Sequence, residues 1–181
     1  MVLLVGFGST VQATNNFTIS KYTVDMELGR DSEQRSTLRT KLIITADFPP
    51  RQNHGIAPVF VKQYDKHPTH FTLESVTDER GAPLEYRWHN DELRIGNKDT
   101  YVKSKKTYVI TYTQRDVTRL YHDTGKQEFY WDAIGTNWQV PIQSASVTLK
   151  LSPELVAAKR TNLQCYQGRF SAARYVNRVI R

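Results

Sequence analysis

Hydrophobic and polar residues alternate along most of this chain with a period of two. Tyr22, Val24, Met26 and Leu28 mark one run, and Leu38, Leu42 and Ile44 mark a second, with Thr40 in the same phase. Successive side chains of an extended chain point to opposite faces, so each run predicts a strand with one buried face. The polar stretch Gly29-Arg30-Asp31-Ser32 between them predicts the turn of an antiparallel pair. Phe71 to Val76 predicts a further strand, followed by a turn over 78–83. Leu84, Tyr86 and Trp88 then alternate with Glu85, Arg87 and His89. His89-Asn90-Asp91-Glu92 closes a hairpin into Leu93-Arg94-Ile95, because Asn and Asp tolerate the backbone conformations that tight turns require. Tyr108, Ile110 and Tyr112 alternate with Val109, Thr111 and Thr113, and short strands are expected at 117–121, at Phe129-Tyr130-Trp131 and at 147–151.

Seven to nine short strands with frequent turn signals predict an all-β fold, an antiparallel β-sandwich of immunoglobulin-like or related type, with a barrel as the alternative. Residues 17–151 form that domain. The one helical signal is Pro153 to Arg160, where Pro at a first turn, Glu154 at the start and Lys159 at the end suit the helix dipole. Residues 152–181 are thus read as a short helix and a basic tail with no strand period. The total of 181 residues suffices for one sizeable core.

Charge changes this picture only in where it lies. The formal net charge is +7, but from Lys150 onward seven cations face Glu154 alone, which leaves residues 1–149 almost neutral. A nearly neutral domain argues against nucleic acid as the partner, while the tail is suited to contact with an anionic membrane surface. At the other end, residues 1–11 carry no charge and include Val2, Leu3, Leu4, Val5 and Phe7, followed by the small-residue pattern Val11-Gln12-Ala13. This predicts an export signal over residues 1–13, too short for a bilayer-spanning helix of about 20 residues. A buried first strand is the alternative, although Gly6 and Gly8 interrupt it. Cys165 is the single cysteine and has no partner for an internal disulfide.

Candidate chemistry is sparse. His67-Pro68-Thr69-His70 is the nearest approach to a metal pair, but Pro68 favours an extended loop and no third ligand is near in sequence. His54, His89 and His122 stand beside turn residues. No nucleophile elbow, zincin or paired-cysteine motif occurs, so neither catalytic residues nor a metal or other cofactor is expected. Trp131 and Trp138 flank Gly135 and read first as a core or corner device. Their functional reading is an exposed ligand platform, Trp131 and Trp138 with Asp132 as a polar partner, able to stack on a glycan or peptide. A carbohydrate-binding module requires at least two of Trp88, Trp131 and Trp138 exposed on one face.

Three segments carry a resemblance. They are His54-Gly55-Ile56, then Arg94-Ile95-Gly96-Asn97-Lys98-Asp99 with its continuation through Tyr112, and above all Glu128-Phe129-Tyr130-Trp131-Asp132 through Trp138-Gln139-Val140-Pro141-Ile142. In these the chain resembles a bacterial family of predicted membrane proteins, domain of unknown function 2207. The resemblance spans most of residues 17–151. It implies an export signal, an extracytoplasmic β-sandwich and transmembrane helices after it, and it supplies no catalytic residue. Asp132 stands where Asn is common in that family. The expected function is a non-catalytic extracytoplasmic module of a cell-envelope protein, binding or linking an envelope protein or glycan. A carbohydrate-binding module and an extracytoplasmic hydrolase using His54, His67 and His70 are the alternatives.

Overall fold

The computed structural model describes residues 16–64, 66–158, 166–167 and 174–175. In chain order the strands are β1 (Thr18–Arg30), β2 (Ser36–Asn53), β3 (Gln63–Tyr64), β4 (His67–Pro68), β5 (Thr72–Thr77), β6 (Tyr86–His89), β7 (Glu92–Ile95), β8 (Val102–Arg115), β9 (Arg119–Tyr121), β10 (Lys126–Glu128) and β11 (Ala145–Leu151). Helix α1 (Pro153–Ala158) follows, then β12 (Tyr166–Gln167) and β13 (Arg174–Tyr175). The domain is all-β and sandwich-like, as the alternation predicts.

Five strands form the main sheet in the order β11-β1-β2-β8-β5. Its register aligns the apolar phases of successive strands. Val147, Val24, Leu42, Ile110 and Val76 make one row across the sheet, and Leu149, Met26, Thr40, Tyr112 and Leu73 make the next. All of the first row except Val147 is buried. The opposite face carries Asp25, Glu27, Arg39, Lys41 and a series of threonines, with Arg39 and Glu74 paired at 3.0 Å. Complete burial of an aliphatic side chain contributes about 1.5–3 kcal/mol, so the matching of these rows fixes which face turns inward.

A second, smaller layer covers the apolar face. Hairpin β6–β7 supplies two of its strands, with Asn90 in the left-handed conformation at the turn (φ 54°). Residues 56–60 run antiparallel to β7 on its other side: Ile56 and Ile95 exchange backbone hydrogen bonds of 3.2 and 2.8 Å, and the Leu93 N–H donates to Pro58 O at 2.9 Å. Ile56, Phe60, Leu93 and Ile95 thereby enter the same core as the main sheet. Phe60 meets Tyr112 edge-on at 5.1 Å between ring centres and Phe71 at 5.2 Å.

Four details differ from the expected pattern. The main sheet is mixed, because β11 pairs parallel to β1 over seven residues. The chain reaches it through the long segment 129–144, which returns to the end where β1 begins, held by Ile19 N–H to Pro141 O at 3.0 Å and Tyr22 N–H to Ser144 O at 2.8 Å. The first turn lies later than its composition suggests. β1 continues through Gly29 and Arg30, and Asp31 organises the bend by accepting from the Glu33 and Arg35 N–H groups at 3.0 and 2.9 Å. Phe129-Tyr130-Trp131 is not a strand; β10 ends at Glu128, and Phe129 and Trp131 stack with ring centres 5.8 Å apart. Within the tail, β12 and β13 pair over two residues each, where no strand was expected.

Helix α1 accounts for the expected helix as far as Ala158, while Lys159 and Arg160 lie outside the described residues. The export signal over 1–13, Cys165 and most of the basic tail lie outside them as well.

Candidate functional site

Segment 129–142 and the two glycine-containing elements at residues 54–56 and 94–99 are where the sequence placed its candidates. Asp132 is exposed, and its Oδ1 accepts from the backbone N–H of Gly135 at 2.9 Å and of Ile134 at 3.3 Å. An aspartate that captures N–H groups two and three residues ahead holds a tight turn. Gly135 completes that turn with φ 77°. Its geometry presents the Ile134 carbonyl inward, where it accepts from both the Trp138 Nε1–H and the Tyr22 hydroxyl, each at 3.2 Å. The two rings meet edge-on at 5.9 Å between centres. Burial pushes the Tyr22 phenol well above its ordinary range, and the bond network at Trp138 opposes only part of that shift.

Trp131 and Trp138 therefore go to separate partners, Phe129 and Tyr22, and both are half-buried against the core. Trp88 is 37% exposed. It stands away from this pair, at the rim of the second layer, packed edge-on to Phe60 at 6.0 Å and Phe71 at 5.7 Å. Lys62 Nζ lies 4.0 Å from the centre of its ring and also reaches Asp91 Oδ1 at 3.3 Å and the Asn90 carbonyl at 3.3 Å. The cation closes the exposed face of the indole and ties the β6–β7 turn to residues 59–63.

The remaining two elements meet at a point. Gly55 and Gly96 have φ of 144° and 133° and cross with no room for a side chain: a Cβ on Gly55 would lie 1.8 Å from Ile95 O, and one on Gly96 would lie 1.9 Å from His54 O. Sequence reading missed this crossing. The signal for it was present as two glycines flanking apolar runs, but nothing local joins positions so far apart in the chain. His54 itself packs against Tyr101 with ring centres 4.4 Å apart and the rings tilted by 31°, and has Nδ1 3.1 Å from Thr100 O.

The histidines named as candidates are dispersed. His67 is in β4, paired with Tyr64, and exposed. His70, in the left-handed region at φ 44°, has Nε2 3.3 Å from Asp116 Oδ2. Behind it the buried Gln114 donates to Thr69 Oγ1 at 2.7 Å and to Val61 O at 2.8 Å, a polar knot that closes on itself. Among the described residues no group of three or more His, Cys, Asp or Glu side chains is placed to hold a metal ion.

The geometry thus defines a class: an all-β module whose most distinctive residues, Gly55, Gly96, Asp132 and Trp138, shape its own backbone. The chain belongs to the family described as "Predicted membrane protein (DUF2207) N-terminal domain", whose model matches residues 18–177. No curated protein matches the chain. Solved structures resemble it at a distance. The M1 zinc metallopeptidase from Deinococcus radiodurans is 8% identical, with a TM-score of 0.37 over 55% of this chain and 20% of its own. A mutant of that enzyme bound to Tyr-Ser-Ala substrate gives 9% identity and a TM-score of 0.43, covering 76% of this chain and 32% of the peptidase. Native leukotriene A4 hydrolase from Saccharomyces cerevisiae is 11% identical, with a TM-score of 0.35 over 54% of this chain and 15% of that one. The chain spans about a fifth of the length of the first of these, and at such scores none of their chemistry is carried over. No helix among the described residues is long and apolar enough to cross a membrane.

Proposed function

We propose that this chain is the non-catalytic, extracytoplasmic module of a cell-envelope protein, serving to bind or link an envelope partner. Membership of a predicted membrane protein family supports the membrane association. The observation that carries the non-catalytic reading is how the resembling residues are used. Asp132 spends its carboxylate oxygen on two turn N–H groups, Trp138 and Tyr22 share one carbonyl, and Gly55 and Gly96 are crossed backbone to backbone. Catalytic groups keep a reactive atom free within reach of a substrate; these side chains are committed to the fold.

The test is protease accessibility of the product of the complete reading frame in intact cells, with membrane and soluble fractions separated. Digestion of the domain from outside, together with sedimentation in the membrane fraction, is the expected outcome. Protection inside the cell, with residues 1–13 retained, would overturn the reading.

A further inference from the structure

The near-neutral total of the domain conceals a concentration of positive charge at the pole where the described chain begins. The register of β2 against β8 breaks between Phe48 and Asn53, so that residues 49–52 bulge outward. Arg51 in this bulge and Ser104 on the facing strand both adopt left-handed backbone conformations, with φ of 56° and 63°. Bulges re-aim the side chains around them, and left-handed non-glycine residues are costly enough to mark places of special use. Arg51, Lys103, Lys105 and Lys106 all lie at this end of the β2–β8 ladder and are exposed, Lys105 opposite Asp47 and Lys106 opposite Ala46 on the other face. Lys105 has a carboxylate near it, Asp47, at 4.0 Å. Arg51, Lys103 and Lys106 have no carboxylate within ion-pair distance among the described residues. Tyr101, 52% exposed and packed against His54, lies beside them.

The same pole holds the residues that lead into β1. Asn16 donates through Nδ2 to Gln52 Oε1 at 2.6 Å, and its carbonyl accepts from Asn53 Nδ2 at 3.4 Å. Residue 16 is thus fixed against the bulge. A polybasic patch is attracted to an anionic bilayer surface, and an exposed Tyr suits the headgroup level.

We propose that the pole formed by Arg51, Lys103, Lys105 and Lys106 docks on an anionic lipid surface. This rests on the membrane-protein reading above and adds which surface of the domain faces the bilayer. The partner is a lipid surface rather than a soluble polyanion, because the charge is joined to an exposed aromatic side chain in a chain that belongs to a predicted membrane protein family.

The experiment is cosedimentation of the full chain with phosphatidylcholine vesicles, with and without phosphatidylserine. Each cation near an anionic surface contributes roughly fivefold in affinity, so R51Q/K103Q/K105Q/K106Q loses on the order of 100-fold or more for phosphatidylserine vesicles, and K103Q/K106Q alone loses an intermediate amount. A tail variant, R169Q/R174Q/R178Q, retains most of the binding, and salt weakens it in the wild type. The quadruple variant changes exposed side chains only, and an unaltered melting temperature verifies the fold of each variant. Wild-type-like binding by the quadruple variant, loss confined to the tail variant, no preference for phosphatidylserine, or binding to inorganic polyphosphate without binding to vesicles each overturns the proposal. The cell-fractionation test is independent of these outcomes: a domain exposed outside the cell and sedimenting with membranes, but whose quadruple variant binds vesicles normally, defeats only this inference.

Discussion

Gly55 is occupied by glycine for two reasons that act together. Its φ of 144° is one that side-chain-bearing residues rarely adopt, and a Cβ there would lie 1.8 Å from the Ile95 carbonyl oxygen, a rigid backbone atom. Replacing it must push apart residues 54–56 and β7, which the core holds through Ile56 and Ile95. G55A is therefore expected to cost about 2–4 kcal/mol, read from the urea midpoint at unchanged slope, and G96A about the same. Gly81 provides the contrast. Its φ is 85° with nothing within 4 Å of a built Cβ, so G81A incurs backbone strain alone, about 1–2 kcal/mol. Equal costs at Gly55 and Gly81 would show that the crossing is looser than described.

Among the elements, the turn 132–135 can be separated into its structural and ligand-binding readings. D132A removes the acceptor of two backbone N–H groups and is expected to lower stability by about 1–3 kcal/mol, whereas D132N keeps an oxygen in place and stays near the wild type. Urea denaturation of the two variants decides the matter, since a residue reserved for an external ligand leaves stability unchanged in both. This turn also shows the reach of sequence reading. Trp131, Gly135 and Trp138 were recognisable as a corner because large rings and a glycine are close in sequence, whereas Asp132 was read only as a polar partner for a ligand. Their partners were not, because Tyr22, which shares the Ile134 carbonyl with Trp138, lies more than a hundred residues away. β1, β2 and the β6–β7 hairpin were legible for a related reason: one-sided burial imposes a period of two, and Asn90 marks its turn locally. Phe129 to Trp131 imitated that period with rings that stack on each other instead of lining a ladder. The parallel placement of β11 left no local trace, since period two is the same in either direction.

At the scale of the whole molecule, the buried phenols set an alkaline limit. Burial raises Tyr22 and Tyr108 far above their ordinary range and pushes Tyr112 up to about 12. The sign follows from linkage. A phenol whose folded pKa exceeds its unfolded value near 10 contributes stability fully below pH 10, and that contribution is lost as pH rises through the folded value. Stability is expected to be insensitive to these groups up to about pH 9 and to fall steeply between about pH 10 and 12. Near-ultraviolet absorbance, followed beside circular dichroism, should show Tyr22, Tyr108 and Tyr112 ionising only with unfolding. Ionisation of these three before any loss of structure would contradict the burial described.

The parallel pairing of β1 with β11 has a mechanical meaning. The described chain joins the sheet at Thr18 and leaves it at Leu151, and because these two strands run in the same direction and are adjacent, the two points lie at opposite poles. Tension between a neighbour attached before residue 18 and one attached after residue 151 pulls β1 and β11 past each other along their length. Their ladder, in register from Tyr22 with Ala145 to Leu28 with Leu151, is then loaded in shear, so its evenly spaced bonds resist together instead of parting one at a time from an end.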